Sequence, residues 1–105
     1  MKSYLYAKEN LKKLLHGVIT REGNNIDDFH LQRIKFTITS LNLPLCLKHD
    51  AENITIKIEV MIQNKKNYNA DLQYLSVALL DLYTNIVRYI IYQSIKFIDI
   101  DLMYK

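Results

Sequence analysis

Residues 53–63 read NITIKIEVMIQ, and the fold class of the chain depends on whether they form a strand or a helix. From residue 54 to residue 62, β-branched residues alternate with mostly polar ones, which is the period of a half-buried strand. A helix through the same residues would bury Ile54 and Ile58 on one face. It would leave Ile56 and Val60 in water, so the alternation predicts a strand.

The alternation returns near the C-terminus, at residues 98–102, where two aspartates separate three apolar residues. This pattern predicts a second half-buried strand. Between the two strands, residues 64–69 form a polar tip. Residues 72–82 fit either a strand or the beginning of a helix, and residues 79–91 carry apolar side chains at helical spacing.

The N-terminal part of the chain predicts a helix that begins near Ser3 and ends before Gly23. Its apolar residues follow the i, i+3, i+4, i+7 pattern of an amphipathic helix. These residues are Leu11, Leu14, Leu15 and Val18.

A second helix is predicted over residues 26–41, with Asn25 as its N-cap. The β-branched and aromatic run at residues 34–39 favours a strand locally, but the apolar residues roughly follow one helical face. The residues of that face are Ile26, Phe29, Ile34, Ile38 and Leu41. Pro44 would end this helix or lie just before the strand that follows.

These segments give the order helix, helix, strand, polar tip, strand or early helix, helix, strand. A small sheet backed by helices is the packing expected for that order. We therefore predict a single α+β domain over residues 1–105, in which residues 1–16 are a candidate N-terminal extension.

Composition narrows the class of protein. The chain has 105 residues, half of them hydrophobic, which suffices for one buried core. Its single cysteine excludes an internal disulfide and favours a reducing compartment. The net charge of +3 suits a nucleic-acid partner without requiring one. No uncharged run reaches the roughly 18 residues of a membrane span, so we predict no membrane partner.

No arrangement of residues predicts catalysis. The three histidines are dispersed, and neither a Gly-rich phosphate loop nor a nucleophile elbow occurs. Cys46 and His49 have the C-x-x-H spacing of half a zinc site, but no second pair completes four ligands. Asp99 and Asp101 are the kind of pair that keeps a terminal strand soluble. We predict no enzyme activity, no metal, no cofactor and no small-molecule substrate.

The polar tip offers the best candidate contact with nucleic acid. Lys65 and Lys66 would neutralise phosphates, and Tyr68 beside them would stack on a base. These three residues are the predicted RNA-binding site, although an ordinary hydrophilic turn has the same composition.

Four features occur in order in the second half of the chain: Leu43-Pro44, the alternating stretch, the Asn64-Lys65-Lys66 tip, and Leu79-Leu80-Asp81-Leu82. The sequence Phe-Ile-Asp-Ile-Asp-Leu at residues 97–102 follows them. In this order they resemble the family of small-subunit ribosomal protein number ten, which includes the NusE antitermination factor. That family carries a Leu-Pro before a long β-hairpin, an Asn-Lys-Lys tip and a Leu-Ile-Asp-Ile stretch. Its cationic segment before Leu-Ile-Asp is replaced here by residues 74–78, which lack cations.

The resemblance implies a ferredoxin-like two-layer sandwich with a protruding β-hairpin at residues 53–75 and an N-terminal helical extension. It implies a structural component of a ribosomal small subunit that binds ribosomal RNA and neighbouring ribosomal proteins. The hairpin face formed by Ile54, Ile56 and Ile58 would contact a protein neighbour. The Lys-, Ile- and Asn-rich composition is typical of an A·T-rich genome. We therefore expect a mitochondrial ribosome or, alternatively, the cytoplasm of a low-GC bacterium.

Two other function classes fit parts of the sequence. One is a ribosome-assembly or RNA-binding factor with a KH-like fold, although the glycine-bearing turn expected between its later helices is missing. The other is a small helical protein-interaction module, such as a bacteriocin-immunity-like bundle or a viral inhibitor. That module explains the leucine stripes and the lack of catalytic motifs, but it conflicts with the two alternating stretches.

Overall fold

A computed structural model describes residues 2–20, 26–64 and 69–103 of the chain. Within these ranges the protein is built from four α-helices and contains no strand. The helices are α1 (Lys2–Thr20), α2 (Asp28–Ser40), α3 (Leu45–Asn64) and α4 (Asn69–Met103).

The predicted α+β sandwich is therefore wrong, and the protein is a helical bundle. The predicted strand at residues 53–63 lies within α3, and the predicted strand at residues 98–102 lies within α4. The protruding hairpin at residues 53–75 is also wrong, because its two arms belong to these two helices. Residues 65–68, at the predicted tip, lie outside the described part of the chain.

The helical form of α3 follows from the helical spacing of its apolar residues, which the strand prediction set aside. Its buried residues recur at steps of three and four along the helix, as one face of an α-helix requires. The consequence is that Ile56 stays 56% exposed and Val60 is exposed as well. The polar residues of the same stretch contact the neighbouring helices, since Lys57 pairs with Asp71 and Glu59 pairs with Lys35. The buried residues of α3 are Leu47, Ala51, Ile54, Ile58 and Met61.

The second helix is predicted correctly in type, but its N-cap is not. Asp27, rather than Asn25, caps α2, because its Oδ1 accepts a hydrogen bond of 3.0 Å from the backbone N–H of His30. The hydroxyl-rich end of α2 keeps its helical form by bonding back to the preceding turn. The Thr37 hydroxyl donates to the carbonyl of Arg33, and the Ser40 hydroxyl donates to the carbonyl of Phe36.

Pro44 lies directly before α3 instead of preceding a strand. Its carbonyl accepts the backbone N–H of Leu47 at 2.9 Å, which closes the first turn of that helix. Because proline lacks an N–H and fixes φ, it suits the start of a helix, where no partner for an N–H exists.

Each helix packs against its neighbours in the chain, and α1 closes the bundle by packing on α4. The connections between consecutive helices are short, so neighbouring helices run antiparallel, and α1 therefore runs antiparallel to α4. The ring of Tyr4, near the start of α1, packs edge-on against the ring of Tyr89, with 5.5 Å between the ring centroids. The part of α4 after residue 91 thus extends past the start of α1, and the molecule is 60 Å long but only 22 Å wide.

The core is entirely apolar in the part of the chain that the structure describes. All four helices contribute to it, and α1 contributes Ala7, Leu11 and Val18. The segment of residues 1–16 that we considered an extension therefore includes core residues. From α4 the core receives Leu72, Leu75, Leu79, Leu82 and Ile86.

Candidate protein interface

The outer face of α2 carries two exposed phenylalanines. Phe29 is 70% exposed and Phe36 is 74% exposed, although the whole chain has only three phenylalanines. They are seven residues apart, which is two helical turns, so they lie on the same side and roughly 10 Å apart along the axis. The buried residues of this helix lie on its other side and are Leu31, Ile34 and Ile38. We call the Phe29–Phe36 side the α2 face.

A small polar cluster fixes the N-terminal end of the α2 face. Oδ1 of Asp27 lies 2.6 Å from Nδ1 of His30 in addition to its capping bond. The imidazole of His30 in turn meets the Phe29 ring edge-on, with 5.9 Å between ring centroids. Asp27 therefore both caps α2 and orients His30, whose imidazole contacts the Phe29 ring.

A cleft between α1 and α2 lies beside this helix and holds about 280 Å³. Lys13 from α1 and Arg33 from α2 line it, and both are exposed. Neither cation has an ion-pair partner among the described residues. Since they lie near apolar walls such as Val18 and Ile34, the cleft combines positive charge with apolar surface.

A second exposed apolar surface follows the outer side of α4. Val77, Leu80, Ile91 and Ile95 are each between 49% and 59% exposed, and Thr84 and Val87 between them are half-buried. Part of the same helix, Asp71–Ile95, is long and apolar enough to cross a membrane by length and composition alone. This segment also supplies five residues of the bundle core, and 22% of its most apolar stretch is buried in the bundle.

The predicted protein-contact residues do not share a face. Ile54 and Ile58 are buried in the core, at 5% and 0% exposure, and only Ile56 is exposed. The three side chains therefore do not form the single face that a hairpin strand would give them, because a helix separates residues that a strand would align. Their contact with a protein neighbour stays a prediction. The predicted RNA-binding residues Lys65, Lys66 and Tyr68 lie outside the described residues.

The described residues include no group of three or more His, Cys, Asp or Glu side chains placed to hold a metal ion. Cys46 and His49 are both exposed on α3. Two further clefts lie on the flanks of α3 and are lined by apolar, polar and charged residues, which include Lys48 and Glu52 in one cleft and Asp50 and Asp81 in the other.

Comparisons with protein-family models, with curated proteins and with solved structures each found no match. The resemblance to small-subunit ribosomal protein number ten thus stays a prediction, while the sandwich fold that it implied is wrong. Phe29 was predicted to share the apolar face of the second helix, which is wrong, because it is 70% exposed; Phe36 was assigned no role. Their spacing of seven residues across a predicted helix was a visible signal, since the buried residues of that helix follow a different face.

Proposed function

We propose that the protein is a small helical protein-interaction module that binds another protein through the α2 face. The observation that supports this proposal is the pair of phenylalanines, Phe29 and Phe36, each at least 70% exposed. Aromatic residues are enriched in protein interfaces and often provide most of the binding energy. Because Phe29 and Phe36 are two turns apart on one helix, the helix holds their rings at a fixed separation, and they can act as two anchor residues.

The surroundings of the α2 face indicate the chemistry of the partner. Arg33 lies between the two phenylalanines in sequence and lines the adjacent cleft together with Lys13. A partner surface with an apolar recess for each ring and carboxylates opposite these cations would complement this side of the bundle. Such an interface needs no cofactor and no chemical step.

This function corresponds to the immunity-like or inhibitor-like module considered from the sequence. The link is an analogy at the level of fold, because many functions use helical bundles. The ribosomal and KH-like interpretations stay predictions. They depended on a hairpin and on alternating strands, and the helical structure removes that part of their support.

Site-specific photocrosslinking tests the proposal. A benzophenone amino acid replaces Phe36 in one variant and the exposed Gln63 of α3 in a control variant, and both are expressed in the source organism. We expect one protein partner to crosslink at position 36 and not at position 63. Crosslinks to ribosomal RNA or to ribosomal proteins would instead support the ribosomal prediction, and no position-specific product would contradict the proposal.

A matched pair of substitutions checks that the rings carry the binding. The double variant Phe29→Ala/Phe36→Ala removes both anchors, and Tyr6→Ala removes an equally exposed aromatic ring from α1. With the partner identified by crosslinking, we expect the double variant to fail to co-purify with it and the Tyr6 control to co-purify with it as the wild type does. If the wild type, the double variant and the Tyr6 control bind the partner equally, the α2 face is not the contact surface.

A further inference from the structure

The outer side of α4 carries a second apolar stripe that the bundle does not use. Its residues follow one another at steps of 3, 4, 3, 4 and 4, which is close to the heptad spacing of a coiled-coil seam. At 100° per residue they lie opposite the buried residues of the same helix. We call this stripe the α4 seam, and it consists of Val77, Leu80, Thr84, Val87, Ile91 and Ile95.

We propose that the α4 seam pairs with the α4 seam of a second copy of this chain, with the two helices antiparallel. This interface is independent of the α2 face, because it uses another helix on another side of the bundle. The seam covers 18 residues of rise from Val77 to Ile95, which is about 27 Å of helix. That length suits a helix–helix contact between two molecules.

The charges beside the α4 seam favour a second copy of this chain as the partner, bound in antiparallel orientation. Asp81 and Arg88 both flank the seam on the same side and are both exposed. Neither has an ion-pair partner among the described residues. They are seven residues apart, so both occupy the same flanking heptad position, and like flanking positions face each other in an antiparallel pair.

One register satisfies both the charges and the apolar residues. When Thr84 packs against Val87 of the second copy, Leu80 packs against Ile91 of the second copy. Asp81 then lies opposite Arg88 of the second copy, and the two-fold symmetry repeats this ion pair. In a parallel pair, Asp81 and Arg88 would instead face the opposite flank of the second copy's seam, where Ser76 and Tyr83 carry no charge. Only the antiparallel pair therefore brings the opposite charges together.

Analytical ultracentrifugation of the full chain over a concentration series tests self-association. We expect a reversible dimer of twice the 12.4 kDa chain mass. Ile91→Glu places a charge in the seam and should abolish the dimer. Ile56→Glu is the matched control, because Ile56 is an equally exposed isoleucine on α3, and it should leave the dimer intact. A wild-type monomer at every concentration, or equal effects of both variants, would overturn the proposal.

Charge reversal tests the antiparallel register. Asp81→Arg and Arg88→Asp each place like charges together, and each should weaken the dimer about tenfold. The double variant Asp81→Arg/Arg88→Asp restores opposite charges at both contacts and should recover the wild-type dissociation constant. Failure of this rescue would overturn the register. Binding of a monomeric wild-type chain to phosphatidylcholine vesicles would assign the seam to a lipid surface and overturn the dimer.

Discussion

The ammonium group of Lys57 lies 3.1 Å from a carboxylate oxygen of Asp71, and this ion pair joins α3 to α4 near their connection. The same ammonium group lies 5.2 Å from the centroid of the Tyr74 ring. Lys57 therefore makes two contacts with α4 from a position where a strand would have pointed it into solvent.

Replacing this lysine measures what the two contacts contribute. Because both charged groups are partly exposed, we expect Lys57→Met to lower the free energy of unfolding by only about 1 kcal/mol. Urea denaturation at low and high salt is the measurement, and the loss should shrink as salt rises. Lys48→Met is the control, since Lys48 is exposed and has no ion pair in the described structure. If both variants lose the same free energy of unfolding, the ion pair between Lys57 and Asp71 contributes nothing specific to stability.

The N-cap of α2 supports a second prediction. Asp27→Ala removes the acceptor for the His30 N–H and should lower the free energy of unfolding by about 1 kcal/mol. Asp50→Ala, at an exposed position inside α3, should change it by much less. Chemical denaturation compares the two variants. If Asp27 also orients the α2 face through His30, its loss should weaken partner crosslinking at position 36, whereas the Asp50 variant should crosslink normally.

Gly17 lies inside α1, where a glycine is unfavourable because its unfolded state is more flexible. Apart from the two adjacent residues and the backbone of its own helix, a Cβ atom at this position would meet no other atom within 4 Å. Gly17→Ala should therefore raise the free energy of unfolding by about 0.5 to 1 kcal/mol. A thermal unfolding midpoint below that of the wild type would contradict this assignment of residue 17 to a helix interior.

The first helix could be predicted from the sequence because its apolar residues fit only one period. The second could be predicted because its apolar residues roughly follow a helical face, although the run at residues 34–39 also favours a strand. The leucine stripe of α1 and the predicted helix at residues 26–41 both correspond to helices in the structure. In α3 the isoleucines fit two periods at once, and β-branched propensity favoured the wrong one. Propensity differences are a few tenths of a kcal/mol per residue, so burial of a continuous face in the bundle overrides them.

The prediction of a strand near the C-terminus is wrong for a related reason. Residues 98–102 alternate in the manner of a strand, but they continue the long helix α4. The candidate interface on α2 was predictable in principle from the spacing of Phe29 and Phe36. The α4 seam was harder to find, because α4 is apolar on two sides and only the packed bundle shows which side is covered.

Ile56 and Ile58 distinguish the helix from the strand most directly. A strand would place both side chains on one face and give their loss similar consequences. In the bundle Ile58 is fully buried and Ile56 is 56% exposed. We therefore expect Ile58→Ala to lower the free energy of unfolding by about 2 to 5 kcal/mol, because it leaves a cavity in the core. Ile56→Ala should cost less than about 1 kcal/mol, since a surface substitution opens no cavity. Urea denaturation of the two variants measures the difference, and equal losses would be incompatible with the helical α3.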